Sequence, residues 1–235
     1  MGDFKELQKE SYAKLAKNFD SVQKRENRNH INKIIKISKF LNIRKRDRVL
    51  EIGVETGIHA NYLLNMNKIK FEFIGVDFSE EMLSEAKKKL KDYKIKLQQM
   101  DGENLKFKDN YFDKVYISGS LHHFSNPQRG INEILRVLKK NGKFCIMEPN
   151  YYFPTNFYSA HVIKEEKNIK LMKRQNFKKW LSNKKINYRI KNFAYTPPFP
   201  KFLIPLYNII DKMLNLMPIL GRLSVMLFIT GEKIR

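Results

Sequence analysis

The chain has 235 residues, enough for one large α/β domain or one domain with a small appendage, and 42% are hydrophobic, which excludes global disorder. Its net charge of +22 points either to an anionic partner (nucleic acid, an anionic membrane surface, an acidic substrate) or to lysine-rich compositional drift. The one cysteine, Cys145, excludes an internal disulfide and any multi-cysteine metal site, and in the apolar run FCIM it reads as a buried, inert thiol.

The segment MGDFKELQKE is charged and has no apolar signal core, which predicts a protein kept in the cytoplasm. Residues 3–18 and 26–41 carry apolar residues at helical spacing. In the second stretch Ile34, Ile35, Ile37, Phe40 and Leu41 line one side. Strand-like runs then alternate with helical ones. RVLEIG (48–53) precedes a helix over 58–67, and FEFIGVD (71–77) precedes SEEMLSEAKKKLKDY. IKLQQM (95–100) follows, FDKVYISG (112–119) leads to a helix over 128–138, and GKFCIMEP (142–149) completes the series. Ser79 with Glu80 and Glu81 supplies an N-cap and first-turn acids, while Asn141-Gly142 after two lysines is a helix stop signal. Such alternation predicts a parallel sheet covered by helices on both faces.

Beyond Pro149 the pattern changes. Residues 161–191 are densely basic, opposed only by Glu165 and Glu166, and contain the sole tryptophan, Trp180. YRIKNFAY (188–195) and LSVMLFITGEKI (223–234) read as strands. Between them lies an apolar stretch, 199–220, which Asp211, Lys212 and Arg222 divide into runs too short to span a bilayer. The simplest organisation is one domain in three parts: N-terminal helices over 1–44, a core over 45–150, and a basic, apolar-tailed elaboration over 151–235.

In a doubly wound sheet, ligands bind beyond the carboxyl ends of the strands near the switch point. Those ends hold Gly53-Val-Glu-Thr-Gly57, Asp77-Phe78, Asp101-Gly102, and Ser118-Gly-Ser-Leu-His122-His123. The dinucleotide pattern G-x-G-x-x-G fails here, and so does a P-loop. A G-x-G-x-G spacing keeps glycines at 53 and 57, with Glu55 in the middle place. Asp77 is placed to accept from two ribose hydroxyls, and Asp101 from an adenine amino group.

Taken together, these segments resemble class I S-adenosylmethionine-dependent methyltransferases of the small-molecule, ubiquinone/menaquinone type. VLEIGVETG resembles the first family motif, GVDFSEEML the second and MDGENLKFKDNYFDKV the third. SGSLHHFSNP with EILRVLKKNGKFCIMEPN resembles the fourth strand, the helix after it and the fifth strand. The resemblance covers about residues 45–150 and implies a Rossmann-like, mostly parallel seven-stranded sheet whose last strand is antiparallel. It implies S-adenosylmethionine as cofactor and no metal. Glu51, Gly53 and Ser118 are then expected beside the methionine part, with Gly57 completing the bend and Glu55 close to it. Asp77 is expected on the ribose, Phe78 and Met82 by the adenine, Asp101 with Gly102 at its amino group, and Tyr12 closing over the site. Core packing is the competing reading for Phe78 and Met82.

Glycine is common at the middle position because it lets the backbone approach the cofactor. The cofactor is a net cation, so Glu55 can attract it as readily as obstruct it, and the loop reads as modified but working. A sulfonium methyl is already electrophilic, so alignment of the acceptor and exclusion of water are the main tasks. His122 and His123 are the candidate catalytic residues, as a base or as shapers of the pocket.

The segment SGSLHHF lacks the Asn/Asp-Pro-Pro-aromatic motif that accompanies nucleobase amino methylation in this superfamily. The apolar stretch 199–220 suits a small or lipid-like acceptor, peripheral contact with an anionic membrane at its inner surface, or simple packing on the sheet edge. Two readings compete with a small-molecule methyltransferase. One is an RNA methyltransferase using KLMKRQNFKKWLSNKKINYR with its interleaved aromatics; the other is a non-catalytic binding protein in which Glu55 has spoiled the site.

Overall fold

The computed structural model describes residues 2–23, 27–67, 69–193 and 224–234. Two helices come first, α1 (Gly2–Gln23) and α2 (Asn27–Leu41). The alternating core follows as β1 (Arg48–Ile52), α3 (Ile58–Met66), β2 (Glu72–Asp77), α4 (Glu80–Lys89), β3 (Lys96–Gln99), β4 (Phe112–Ser118), α5 (Pro127–Val137) and β5 (Leu138–Pro149). Then come α6 (Pro154–Val162), a 3-10 helix (Lys164–Leu171), α7 (Arg174–Leu181), β6 (Ile186–Phe193) and β7 (Met226–Lys233).

The seven strands form one sheet in the order β3-β2-β1-β4-β5-β7-β6. β1 to β5 run parallel, and β7 lies antiparallel to both β5 and β6. The chain order reverses at β1, which has β2 on one side and β4 on the other, so a crevice opens at the carboxyl ends of these three strands.

Each central strand is buried on both faces, and its side chains alternate between two apolar layers. Leu50, Ile52, Val115, Ile117, Phe144 and Ile146 meet α5 and α7 through Ile131, Ile134, Phe177 and Trp180. Val49, Tyr116, Cys145 and Met147 meet α2, α3 and α4 through Ile34, Ile37, Leu41, Leu63 and Leu83. Cys145 is buried and its thiol pKa is pushed well up by burial, as befits an inert packing residue. Ile35 and Phe40 of α2 are only half-buried, so its core stripe is narrower than the sequence suggests.

Ser79 caps α4, its hydroxyl accepting from the Met82 N–H at 3.2 Å. The Asn141-Gly142 signal is used otherwise than expected. α5 already ends at Val137, because buried Leu138 turns extended and pairs with Phe112. Asn141, at φ 61°, then bends an excursion within β5, before Lys143 rejoins the ladder opposite Lys114.

The basic region differs from its sequence reading too. Phe177, Trp180 and Leu181 are spaced as one face of α7 and are buried against the sheet. Two of the aromatics that would stack nucleobases are therefore committed to the core, which removes much of the support for RNA. The apolar stretch 199–220 lies outside the described residues. Among those described, no helix is long and apolar enough to cross a membrane.

Candidate active site

The bend after β1 is built from three left-handed backbone positions, Gly53 (φ 70°), Glu55 (φ 51°) and Gly57 (φ 80°). Two of them demand glycine for space as well. A Cβ on Gly53 would stand 2.3 Å from Ser120 Oγ, and one on Gly57 would stand 2.8 Å from Leu90 Cδ1. Glu55 carries a side chain in a conformation that costs an L-residue about 1–2 kcal/mol. Its backbone N–H donates to Asp77 Oδ2 at 2.8 Å, which offsets part of that cost.

Asp77, the last residue of β2, also accepts the Ser79 N–H on Oδ1 at 2.9 Å. Burial pushes its pKa up to about 6 despite these hydrogen bonds. Glu55 is pushed up to about 8, first by burial and then by Asp77. Beyond β3, Asp101 accepts the Glu103 N–H on Oδ1 at 2.9 Å and the Lys5 ammonium on Oδ2 at 2.6 Å. Lys5 also lies 3.4 Å from Glu103, so α1 is pinned across the crevice by one lysine and two acids.

These groups surround a hollow of about 680 Å³ including its open mouth. Of the residues expected from the sequence, Tyr12, Gly53, Glu55, Asp77, Phe78, Met82, Asp101, Gly102 and His123 line it. Met82 is almost wholly buried while Phe78 is 39% exposed, so only the former is also a core residue. Glu51, Gly57, Ser118 and His122 do not line it. Strand alternation explains Glu51: it lies between Leu50 and Ile52 of the other layer and faces α3, with Oε1 4.0 Å from His59 Nδ1. Ser118 is buried, and Gly57 sits behind the bend as the N-cap of α3.

The two histidines part company. His122 Nδ1 contacts Glu148 Oε2 at 2.6 Å and Nε2 contacts Glu166 Oε2 at 3.1 Å. Burial opposes its charge, but the two carboxylates outweigh it and raise its pKa to about 10. A protonated ring held at both nitrogens is no general base, and it lies outside the hollow; the catalytic expectation for His122 fails on both counts. His123 packs edge-on against Tyr12, centroids 5.2 Å apart, and is held neutral, its pKa pushed down to about 3 by burial and by His122.

Several residues here escaped the sequence reading. Fully buried Glu148 accepts the N–H groups of Ser120, Leu121 and His122 and so fixes the turn that carries both histidines. The available signal was an acid inside the apolar run FCIMEP. Lys5, Glu103 and Phe124 had none.

Residues 50–146 match the family described as a methyltransferase domain. Across 136 residues the chain is 35% identical to the chloroplastic 2-methyl-6-phytyl-1,4-hydroquinone methyltransferase of Arabidopsis thaliana, covering 56% of this chain and 40% of that protein. Across 104 residues it is 35% identical to phosphatidylethanolamine N-methyltransferase of Cereibacter sphaeroides, covering 43% of this chain and 49% of that protein. The fold is shared with a crystallised S-adenosylmethionine-dependent methyltransferase from Thermotoga maritima, a possible histamine N-methyltransferase: TM-score 0.68, 18% identity, 96% of this chain and 99% of that one. Residues 50–146 thus resemble a methyltransferase domain, and the fold is the one shared with S-adenosylmethionine-dependent methyltransferases. It spans less than half the length of the two curated relatives.

S-adenosylmethionine is the cofactor that this likeness implies, and the residues present fit it. Glu55, Asp77, Asp101 and Glu103 face the hollow against Lys5 and Lys9, a local acidic surplus in a chain of net charge +22. A cation is therefore favoured where the surrounding field would repel one. A carboxylate offers about four acceptor sites, so Asp77 keeps capacity for ribose hydroxyls beyond its bonds to Glu55 and Ser79. Met82, Met100 and Phe124 supply apolar wall for a purine.

Proposed function

We propose that this methyltransferase transfers a methyl group from S-adenosylmethionine to a quinol-like or lipid-like small molecule. The observation that carries the reading is the acidic hollow at the switch point, closed by Asp77 on one side and by Tyr12 and His123 on the other. The cofactor supplies an electrophilic methyl on a cationic sulfur; the rest of the work is positional. Asp77 holds the ribose through its free acceptor sites, Asp101 meets the adenine amino group, and Glu55 offers a buried carboxyl that a net cation draws towards ionisation. Gly53, in the bend after β1, flanks the methionine end. Tyr12 and His123, stacked edge to face, exclude water from the mouth. Neutral His123 orients a hydroxyl acceptor by hydrogen bonding; with a pKa near 3 it does not store a proton at neutral pH.

The acceptor class rests on two supports. The relatives named above act on a prenylated hydroquinone and on a phospholipid by their names. Beyond the carboxyl end of β5, Tyr152, Phe157, Tyr158, Val162 and Ile163 are exposed large apolar side chains beside Lys164, Lys167 and Lys170. That mixture suits an apolar acceptor and an anionic membrane surface from which it could be taken.

The test incubates the purified protein with methyl-labelled S-adenosylmethionine and fractionated cell extract. Label in the organic-soluble fraction supports the reading, and label in RNA or protein overturns the acceptor class. Absence of cofactor binding by calorimetry would leave a non-catalytic binding protein instead.

A further inference from the structure

At the turn 121–123, two histidines and two glutamates meet in an arrangement of which the proposed methyl transfer uses only the His123 ring. Glu148 Oε2 lies 2.6 Å from His122 Nδ1, and the other ring nitrogen, Nε2, lies 3.1 Å from Glu166 Oε2. One ring nitrogen of each histidine and one oxygen of Glu166 all fall within 4.8 Å of one another. The rings of His122 and His123 are 3.9 Å apart at their centroids, and His123 Nδ1 is buried with no hydrogen-bond partner.

A structural ion pair accounts for Glu148, His122 and Glu166, but it makes His123 a burden. Burying the bare nitrogen of that second imidazole costs about 1–3 kcal/mol. A metal ion removes that cost, because it takes the lone pair of an imidazole nitrogen. The contact between Glu148 and His122 Nδ1 matches the carboxylate–histidine–metal arrangement, in which the outer carboxylate fixes the tautomer and aims Nε2 at the ion. Two histidines and one carboxylate form a three-ligand set that suits a zinc-class ion with an open fourth position.

We infer that His122 Nε2, His123 and Glu166 bind a divalent zinc-class metal ion, with Glu148 orienting His122. Binding replaces the proton on His122 Nε2, which is released to solvent. The site goes beyond the proposed function and stands without it, since metal binding is measured with no cofactor present.

The experiment titrates chelator-treated full-length protein with Co²⁺ and Zn²⁺ alone, following visible absorption of Co²⁺ and heat of Zn²⁺ binding. One equivalent is expected, with four- or five-coordinate Co²⁺ bands and release of about one proton. Glu166→Gln and His123→Ala, at partly accessible positions, should each weaken binding at least 100-fold, and Glu148→Gln about 10- to 100-fold. Binding that survives both Glu166→Gln and His123→Ala, or octahedral Co²⁺ spectra, means an adventitious ion only. Should a variant fail to fold by thermal melting, the wild-type spectrum and stoichiometry decide alone: no stoichiometric Co²⁺ complex overturns the site.

Discussion

The backbone N–H of Glu55 donates to Asp77 Oδ2 at 2.8 Å, so the residue that departs from the glycine pattern also supports the carboxylate at the end of β2. The bond uses the main chain alone, so every residue but proline preserves it at 55. What Glu55 adds is a left-handed φ of 51° and a second carboxyl beside the first. Glu55→Gly should therefore stabilise the fold by about 1 kcal/mol through relief of backbone strain. Cofactor affinity should be preserved or modestly improved, as the loop gains freedom to approach while one attractive charge is lost. Thermal melting and calorimetry check both parts. A collapse in affinity would mean that the Glu55 carboxylate is itself a ligand.

Asp77→Ala isolates the carboxylate. It removes the acceptor for ribose hydroxyls and leaves the Glu55 and Ser79 N–H groups without their partner. Loss of a charge-assisted hydrogen-bond pair should weaken S-adenosylmethionine binding about 10- to 100-fold. Calorimetry is the direct measurement, and unchanged affinity would remove Asp77 from the site.

The pH dependence follows from the same group. Burial raises the folded pKa of Asp77 to about 6, above the unfolded value of about 3.9. The folded state thus holds the proton more tightly, so this contribution to stability is present at low pH and is lost as pH rises through 6. A bound cation favours the ionised carboxylate, so cofactor affinity should move the opposite way and rise between pH 5 and 7. Asp77→Asn should remove up to one proton from the slope of log Kd against pH across that range. A slope left intact by that substitution would show that another group governs it.

The alternating core was legible because each central strand is a short apolar run bounded by turn residues, and such runs have few other uses. Gly53, Asp77 and Asp101 were legible because they are fixed by strand ends, a local signal. α7 was not, although Phe177, Trp180 and Leu181 carry helical spacing, because four lysines and arginines around them gave the stretch a basic appearance. The grip of Glu148 on His122 spans 26 residues and that of Lys5 on Asp101 spans 96. Contacts of that range depend on the sheet order, which no local window reports.

Lys5 offers the last test, because it holds the carboxylate that the adenine amino group is expected to use. Its ammonium is 2.6 Å from Asp101 and 3.4 Å from Glu103, and these acids outweigh burial and raise its pKa. About a third of the side chain is exposed, so solvent screens the pair. Lys5→Ala should consequently cost less than about 1 kcal/mol of stability. Binding of the cofactor must compete with this contact, so removing it should tighten the equilibrium two- to fivefold, roughly 0.5–1 kcal/mol. It should also speed cofactor exchange, since α1 loses one of its ties across the hollow. Stopped-flow fluorescence of the binding and release steps separates the two effects. Weakening by more than tenfold would show that Lys5 holds the cofactor itself and is no latch.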